Sequence, residues 1–160
     1  MNDASGRVFL FLQGPHGPFF RRLAARLTGL GAICRRIAFN ASDEAEWRAA
    51  GPLHRYNDDV SRFGDWLSDL IAEHGVTDVV LYGDARPIHQ IALAQARSRG
   101  LRTHCLEEGY IRPSWVTYER EGNNGYSRLM SISLPRMAKS IGSGDKIGIK
   151  TTMLLSYDVK

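Results

Sequence analysis

The chain has 160 residues, 43% hydrophobic and 24% charged, enough polypeptide for one well-formed core. Its net charge of +4 is unevenly spread: residues 1–128 hold 16 Arg, no Lys and 15 Asp or Glu, whereas residues 129–160 hold one Arg, four Lys and two Asp. The excess therefore sits in the tail, which argues against a nucleic-acid footprint, and the first apolar run, residues 8–12, is too short to span a bilayer and lacks the flanks of a signal peptide.

In chain order, residues 7–12 (RVFLFL) read as a short buried strand. Residues 19–28 place Phe20, Leu23, Ala24 and Leu27 at helical spacing, with Pro18 before them and Gly29 and Gly31 after. A second strand covers 32–39. Residues 60–74 carry an apolar stripe of Val60, Phe63, Trp66, Leu67, Leu70 and Ile71, with Asp58 or Asp59 to cap the start and Gly75 to end it. A third strand covers 78–82, a helix 87–99 and a fourth strand 101–106. Alternating strands and helices predict an α/β, Rossmann-like fold with a parallel sheet covered on both faces. Cys34 and Cys105 fall in strand-like apolar runs and read as reduced core thiols of a cytoplasmic protein.

Open α/β sheets bind ligands outside the carboxyl ends of their strands. Three of the four loops leaving those ends concentrate Gly, Pro, His, Arg and carboxylate, while the opposite edge has plain connectors (TGLG, HGVT, SRGL). In QGPHGPF (13–19), Gly14 and Gly17 let a backbone approach a ligand and His16 stands between them. The segment suits an anion site or a tight connector equally well, because its prolines remove donors. In YGDARPIH (82–89), Asp84 is either a catalytic carboxylate or the cap of the following helix. Arg86 sits where a helix dipole already favours a phosphate or carboxylate, and His89, one turn further on, suits either the same crevice or a satisfied polar place on the sheet side. In EEGYIRP (107–113), Glu107 ends the strand and Glu108 begins the turn, with Gly109 for a reversal and Arg112 to hold a carboxylate ionised. Neighbouring strand residues face opposite ways, so the two glutamates need not share a site. A carboxylate near cations suits a nucleophile in glycosyl transfer, and a solvated acidic turn is the alternative. His104 and Glu107 fall on opposite faces, and no CxxC, HExxH or Walker spacing occurs, so neither a metal nor a P-loop is expected.

All four lysines and three of four methionines lie beyond residue 129. The expected organisation is thus a Rossmann-like lobe over 1–128 and a divergent tail over 129–160, disordered or joined by a shifted reading frame. A flexible basic extension is the alternative.

Together, FLQGPHGPFFRRLA, FN, YGDARPIH, EEGYIRPSWVT and NNGYSRL resemble the amino-terminal half of capsule polysaccharide biosynthesis/export proteins, and among them the β-Kdo transferases that start the capsule's Kdo linker. The resemblance covers about residues 7–129. It implies one lobe of a two-lobe, GT-B-like retaining glycosyltransferase with CMP-Kdo as donor, no further cofactor, and a lysophosphatidylglycerol-like acceptor at the cytoplasmic face of the inner membrane. The family's E-(D/E)-G-(F/Y)-(L/I)-R motif implies Glu108 as nucleophile. Residue type then suggests Arg86 or Arg112 for the Kdo carboxylate and His16 or His89 as acid/base or phosphate partner. Expected partners are other capsule assembly and export proteins, with peripheral inner-membrane contact. At 160 residues the chain lacks most of a second lobe, so weak activity or none is expected of it alone. The rival readings are a noncatalytic sugar- or lipid-binding component of the export machinery and a generic nucleotide-binding module.

Overall fold

The computed structural model describes residues 3–48, 50–109, 115–143 and 152–155. The elements are β1 (Val8–Phe11), α1 (Phe19–Thr28), β2 (Ile33–Ala38), α2 (Ala41–Trp47), β3 (Leu53–Arg55), α3 (Val60–His74) and β4 (Asp78–Tyr82). After them come α4 (Pro87–Ser98), β5 (Arg102–Glu108), β6 (Trp115–Glu119), α5 (Leu134–Ser143) and β7 (Thr152–Leu155). The seven strands form one sheet in the order β3-β2-β1-β4-β5-β6-β7. Strands β1 to β5 pair in parallel, while β6 and β7 are added antiparallel. The fold is α/β and Rossmann-like, with a mixed rather than wholly parallel sheet.

Helix ends follow local chemistry. Between the two candidates for the α3 cap, Asp59 is the one used: its carboxylate accepts from the Ser61 N–H at 2.8 Å. Asp58 instead accepts from the Asp59 N–H and pairs with Arg62. Gly75 closes α3 in the left-handed region, φ 61°, where a side chain would be strained. Val60, expected in the buried stripe, is exposed, because it stands at the first helical position, ahead of the turn that meets the sheet. Asn40 caps α2 by accepting from the Asp43 N–H at 2.9 Å.

The sheet separates two apolar layers. Leu10, Leu12, Ile37, Val79, Leu81 and Cys105 meet α3 and α4 on one face. Phe9, Phe11, Cys34, Val80, Leu106 and Val116 meet α1 and Trp47 of α2 on the other. The two cysteines therefore lie in different layers, both free and buried. Burial pushes the Cys105 thiol up to about 12 and raises that of Cys34, as expected of inert core thiols.

At the amino-terminal edge of the parallel strands, fully buried Asp78 gathers Arg7, Arg102 at 2.9 and 3.0 Å, His104 at 2.8 Å and Thr77 at 2.6 Å. Burial alone would raise its carboxyl. The hydrogen bonds from His104, Arg7, Arg102 and Thr77 outweigh that and hold it far below the usual carboxylate range. A second buried pair, Arg36 to Asp43 at 2.7 Å, fastens the β2–α2 turn.

Candidate functional site at the sheet switch point

From β1 the chain builds outward through β2 and β3, then returns to place β4 on the other side of β1. The loops after β1 and β4 consequently diverge, and a crevice opens between them at their carboxyl ends. A cleft of about 580 Å³ occupies this crevice. Gly14, Pro15 and His16 line it from the β1 exit, Tyr82 through Arg86 from the β4 exit, and Glu107 and Glu108 from the end of β5. Trp115, Gly125 and Tyr126 complete the wall. The three loop clusters that the sequence singles out thus converge on one space.

Each wall is fastened. The Gly17 N–H donates to Glu46 Oε1 of α2 at 2.8 Å, and the same oxygen lies 3.6 Å from His16 Nδ1. The His16 side chain itself is 98% exposed. Arg86, at the N-cap of α4, donates to Gln13 Oε1 at 2.5 Å and so ties the β4 exit to the β1 exit. Gly83 adopts φ 70°, and a Cβ there would stand 3.3 Å from Glu107 Oε2. Gly83 therefore gives the loop its turn and leaves room for the Glu107 carboxylate.

The paired glutamates follow strand alternation. Glu107 shares a side with Cys105 and hence with α4, whereas Glu108 shares a side with Leu106 and hence with α1. Both line the same cleft, which strand alternation had left open. They stand at the strand's end, where the space beyond the sheet is open to either face. Glu107 Oε1 accepts from the Glu108 N–H at 3.1 Å. Gly109 is required by proximity rather than by a positive φ: its N–H donates to the Trp115 carbonyl at 2.7 Å, and a Cβ would come within 2.7 Å of that oxygen.

The family model for capsule polysaccharide biosynthesis proteins matches residues 77–140, the span that carries the β4 loop, both glutamates and the wall at Gly125 and Tyr126. Over that span the chain is similar to the capsule polysaccharide biosynthesis family. It is 39% identical over 132 residues to the Escherichia coli capsule polysaccharide export protein KpsS, covering 82% of this chain and 32% of that protein. To the Neisseria meningitidis serogroup A capsule polysaccharide modification protein LipB it is 38% identical over 127 residues, covering 78% and 30% respectively. The chain thus spans about a third of the length of the curated relatives it matches. A glycosyltransferase from Rickettsia africae superposes with a TM-score of 0.50 at 13% identity, over 67% of this chain and 31% of that one, a likeness of fold alone.

Asp84 lines the cleft yet is almost fully buried, and His89 does not line it. Asp84 does not cap α4. It is buried in the cleft wall itself, where its carboxylate accepts from the Asn123 N–H at 2.7 Å and so pins the segment after β6 to the β4 exit. His89 is fully buried and does not line the cleft. Its Nδ1 meets the Gly83 carbonyl at 2.5 Å, and burial lowers the imidazole to about 4, so the neutral ring supports the β4 loop as a donor. Arg112 lies outside the described residues. The sequence reading missed Glu46, because a seven-residue helix leaves too short a period to notice. It also missed Tyr82, Trp115 and Tyr126 as cleft walls, although YGDARPIH, EEGYIRPSWVT and NNGYSRL contain them. Among the described residues no group of three metal-ligating side chains occurs and no helix is long and apolar enough to cross a membrane.

Proposed function

We propose that this cleft is the acceptor-side half of a retaining glycosyltransferase of capsule assembly, one lobe of a GT-B-like enzyme that moves Kdo from CMP-Kdo to a lysophosphatidylglycerol-like lipid. The observation that carries the reading is the convergence of Glu108, His16 and Arg86 on one cleft at the switch point. A Glu108 carboxylate oxygen attacks the anomeric carbon, the bond from that carbon to the CMP phosphate breaks, and CMP departs with the electron pair. The acceptor hydroxyl then attacks the same carbon, loses its proton to a base or to solvent, and releases Glu108 as carboxylate. Two inversions give retention. Because a phosphate monoester leaves readily, the first step needs little acid assistance, and Arg86 and His16 serve to hold the sugar carboxylate and the phosphate. Trp115 and Tyr126 offer flat apolar walls for a sugar ring. On this reading the protein acts in contact with other capsule assembly proteins and peripheral to the inner membrane.

The covalent intermediate is the most direct readout of this mechanism. Incubation with CMP-Kdo should leave a Kdo adduct on the peptide containing Glu108, seen by mass spectrometry after digestion. Glu108→Gln should abolish the adduct and cut CMP release by at least about a thousandfold. An adduct that persists in Glu108→Gln would exclude this nucleophile. If Glu108→Gln leaves capsule formation intact in cells, the noncatalytic binding role takes its place.

A further inference from the structure

Tyr126 lines the cleft and is 56% exposed, yet the backbone that presents it hangs on Asn123, of which only 1% is exposed. The Asn123 N–H donates to Asp84 Oδ2 at 2.7 Å and its Nδ2 donates to the Leu106 carbonyl at 3.1 Å. The Asn123 carbonyl in turn accepts from the Tyr126 N–H at 2.9 Å. One buried residue thus joins the β4 exit, the end of β5 and the turn that carries Tyr126. A bond to a carboxylate is roughly twice as strong as one between neutral groups, so the bond to Asp84 is the firmest of the three.

The flanks add to the hold. Upstream, the Glu121 N–H donates to Thr103 Oγ1 at 3.0 Å and the Glu121 carbonyl accepts from Arg97 at 2.9 Å. Glu121 stands at φ 77°, a left-handed conformation that a residue with a side chain adopts only where its surroundings impose it. A Cβ on Gly122 would lie 2.6 Å from the Tyr126 carbonyl oxygen, so the turn closes directly on Tyr126. Downstream, Ser127 Oγ donates to Glu119 Oε2 at 2.5 Å. Imposed backbone strain of this kind gathers at ligand sites. An aromatic ring fixed in advance by buried bonds loses little further entropy when a ligand meets it.

We infer that Asn123 and Asp84 are positioning residues that hold the Tyr126 ring as a preset platform over the cleft, against which a flat ring of the bound nucleotide sugar stacks. The inference rests on the nucleotide-sugar reading of the cleft and names what fixes the shape of that site. Because Asp84 also lines the cleft, its variants report on the clasp, and variants of Asn123 report on binding.

The clasp is read by hydrogen exchange on the full chain. In Asp84→Ala the Asn123 and Tyr126 amides should exchange at least about tenfold faster than in the wild type, with the β1 amides unchanged. Asp84→Asn keeps an oxygen to accept from the Asn123 N–H and should restore most of the protection. The part played in binding is read by calorimetry with CMP-Kdo. Asn123→Ala and Tyr126→Ala should each weaken binding at least about tenfold, and the double variant should bind no more weakly than Tyr126→Ala alone. Tyr126→Phe, which keeps the ring, should bind like the wild type. Where Asn123→Ala fails to fold, Gly122→Ala takes its place in the cycle, its added methyl pressing on the Tyr126 carbonyl. Additive losses in the cycle would overturn the inference, as would a Tyr126 amide that stays protected in Asp84→Ala. So would undiminished binding by Tyr126→Ala. If CMP-Kdo leaves its adduct on Glu108 while the losses add, the transfer reading stands and this inference falls. Coupled losses without an adduct give the reverse.

Discussion

Two histidines show how burial divides residues of one type. His16 is almost wholly exposed at the cleft mouth, in reach of whatever binds there. His89 is sealed under the β4 loop with its imidazole lowered to about 4. In the unfolded chain His89 takes up a proton near 6.5, so between pH 6.5 and 4 the unfolded state binds more protons than the folded one. Stability should therefore fall as pH drops through that window, by up to roughly 3 kcal/mol from this one group. His89→Asn keeps a donor for the Gly83 carbonyl but cannot titrate. Thermal melts from pH 7 to pH 4 should give a visibly flatter decline for the variant, and an unchanged slope would remove His89 from the account. Below about pH 4 a second loss begins as Asp78 is protonated in the unfolded chain while it stays ionised in the fold.

At the scale of elements, the antiparallel pairing of β5 with β6, which sets Glu108 beside Val116, gives the cleft a wall at Trp115. Trp115 lines the cleft, and its carbonyl is held by the Gly109 N–H at 2.7 Å. Gly109→Ala places a methyl against a carbonyl that cannot retreat without breaking the Gly109 N–H bond, so it should destabilise the protein by about 1–3 kcal/mol. It should also weaken CMP-Kdo binding measured by calorimetry. Gly125→Ala, where an added Cβ meets nothing within 4 Å, is the control and should change stability little. Equal effects of the two would mean that the close approach at Gly109 is not what shapes the wall. The β1, α1, β2, α3, β4, α4 and β5 elements were legible in the sequence to within a residue or two, because each carries an unbroken apolar period. By contrast, β3 has three residues and α2 seven, too few to establish one. In α5 (Leu134–Ser143) and β7 the sequence shows no sustained period to read.

For the whole molecule, the two edges of the sheet do different work. The carboxyl edge holds the cleft, with its charges at the surface. The amino edge holds the Asp78 network, with its carboxylate fully buried. Asp78→Asn removes the charge that Arg7, Arg102 and His104 share and should cost about 3 kcal/mol, read as a lowered melting temperature. The CMP-Kdo affinity proposed for the cleft should be unaffected at permissive temperature, since none of the described groups that bond Asp78 lines the cleft. A loss of affinity matching the loss of stability would show that the edges are coupled.

Composition and spacing were sufficient to establish an α/β sheet with its polar chemistry on one edge, because strand and helix periods and loop composition are local properties of the chain. They also singled out Glu108, Arg86 and His16 in separate loops. Which loops meet was settled by strand order: only with β4 beside β1 do the three exits share a space. Burial, too, was tertiary. Asp84 and His89 carry the same chemistry on paper as their neighbours, yet packing turns one into a clasp for Asn123 and the other into a neutral support for Gly83, since the cost of desolvating a charge depends on what the rest of the chain lays over it.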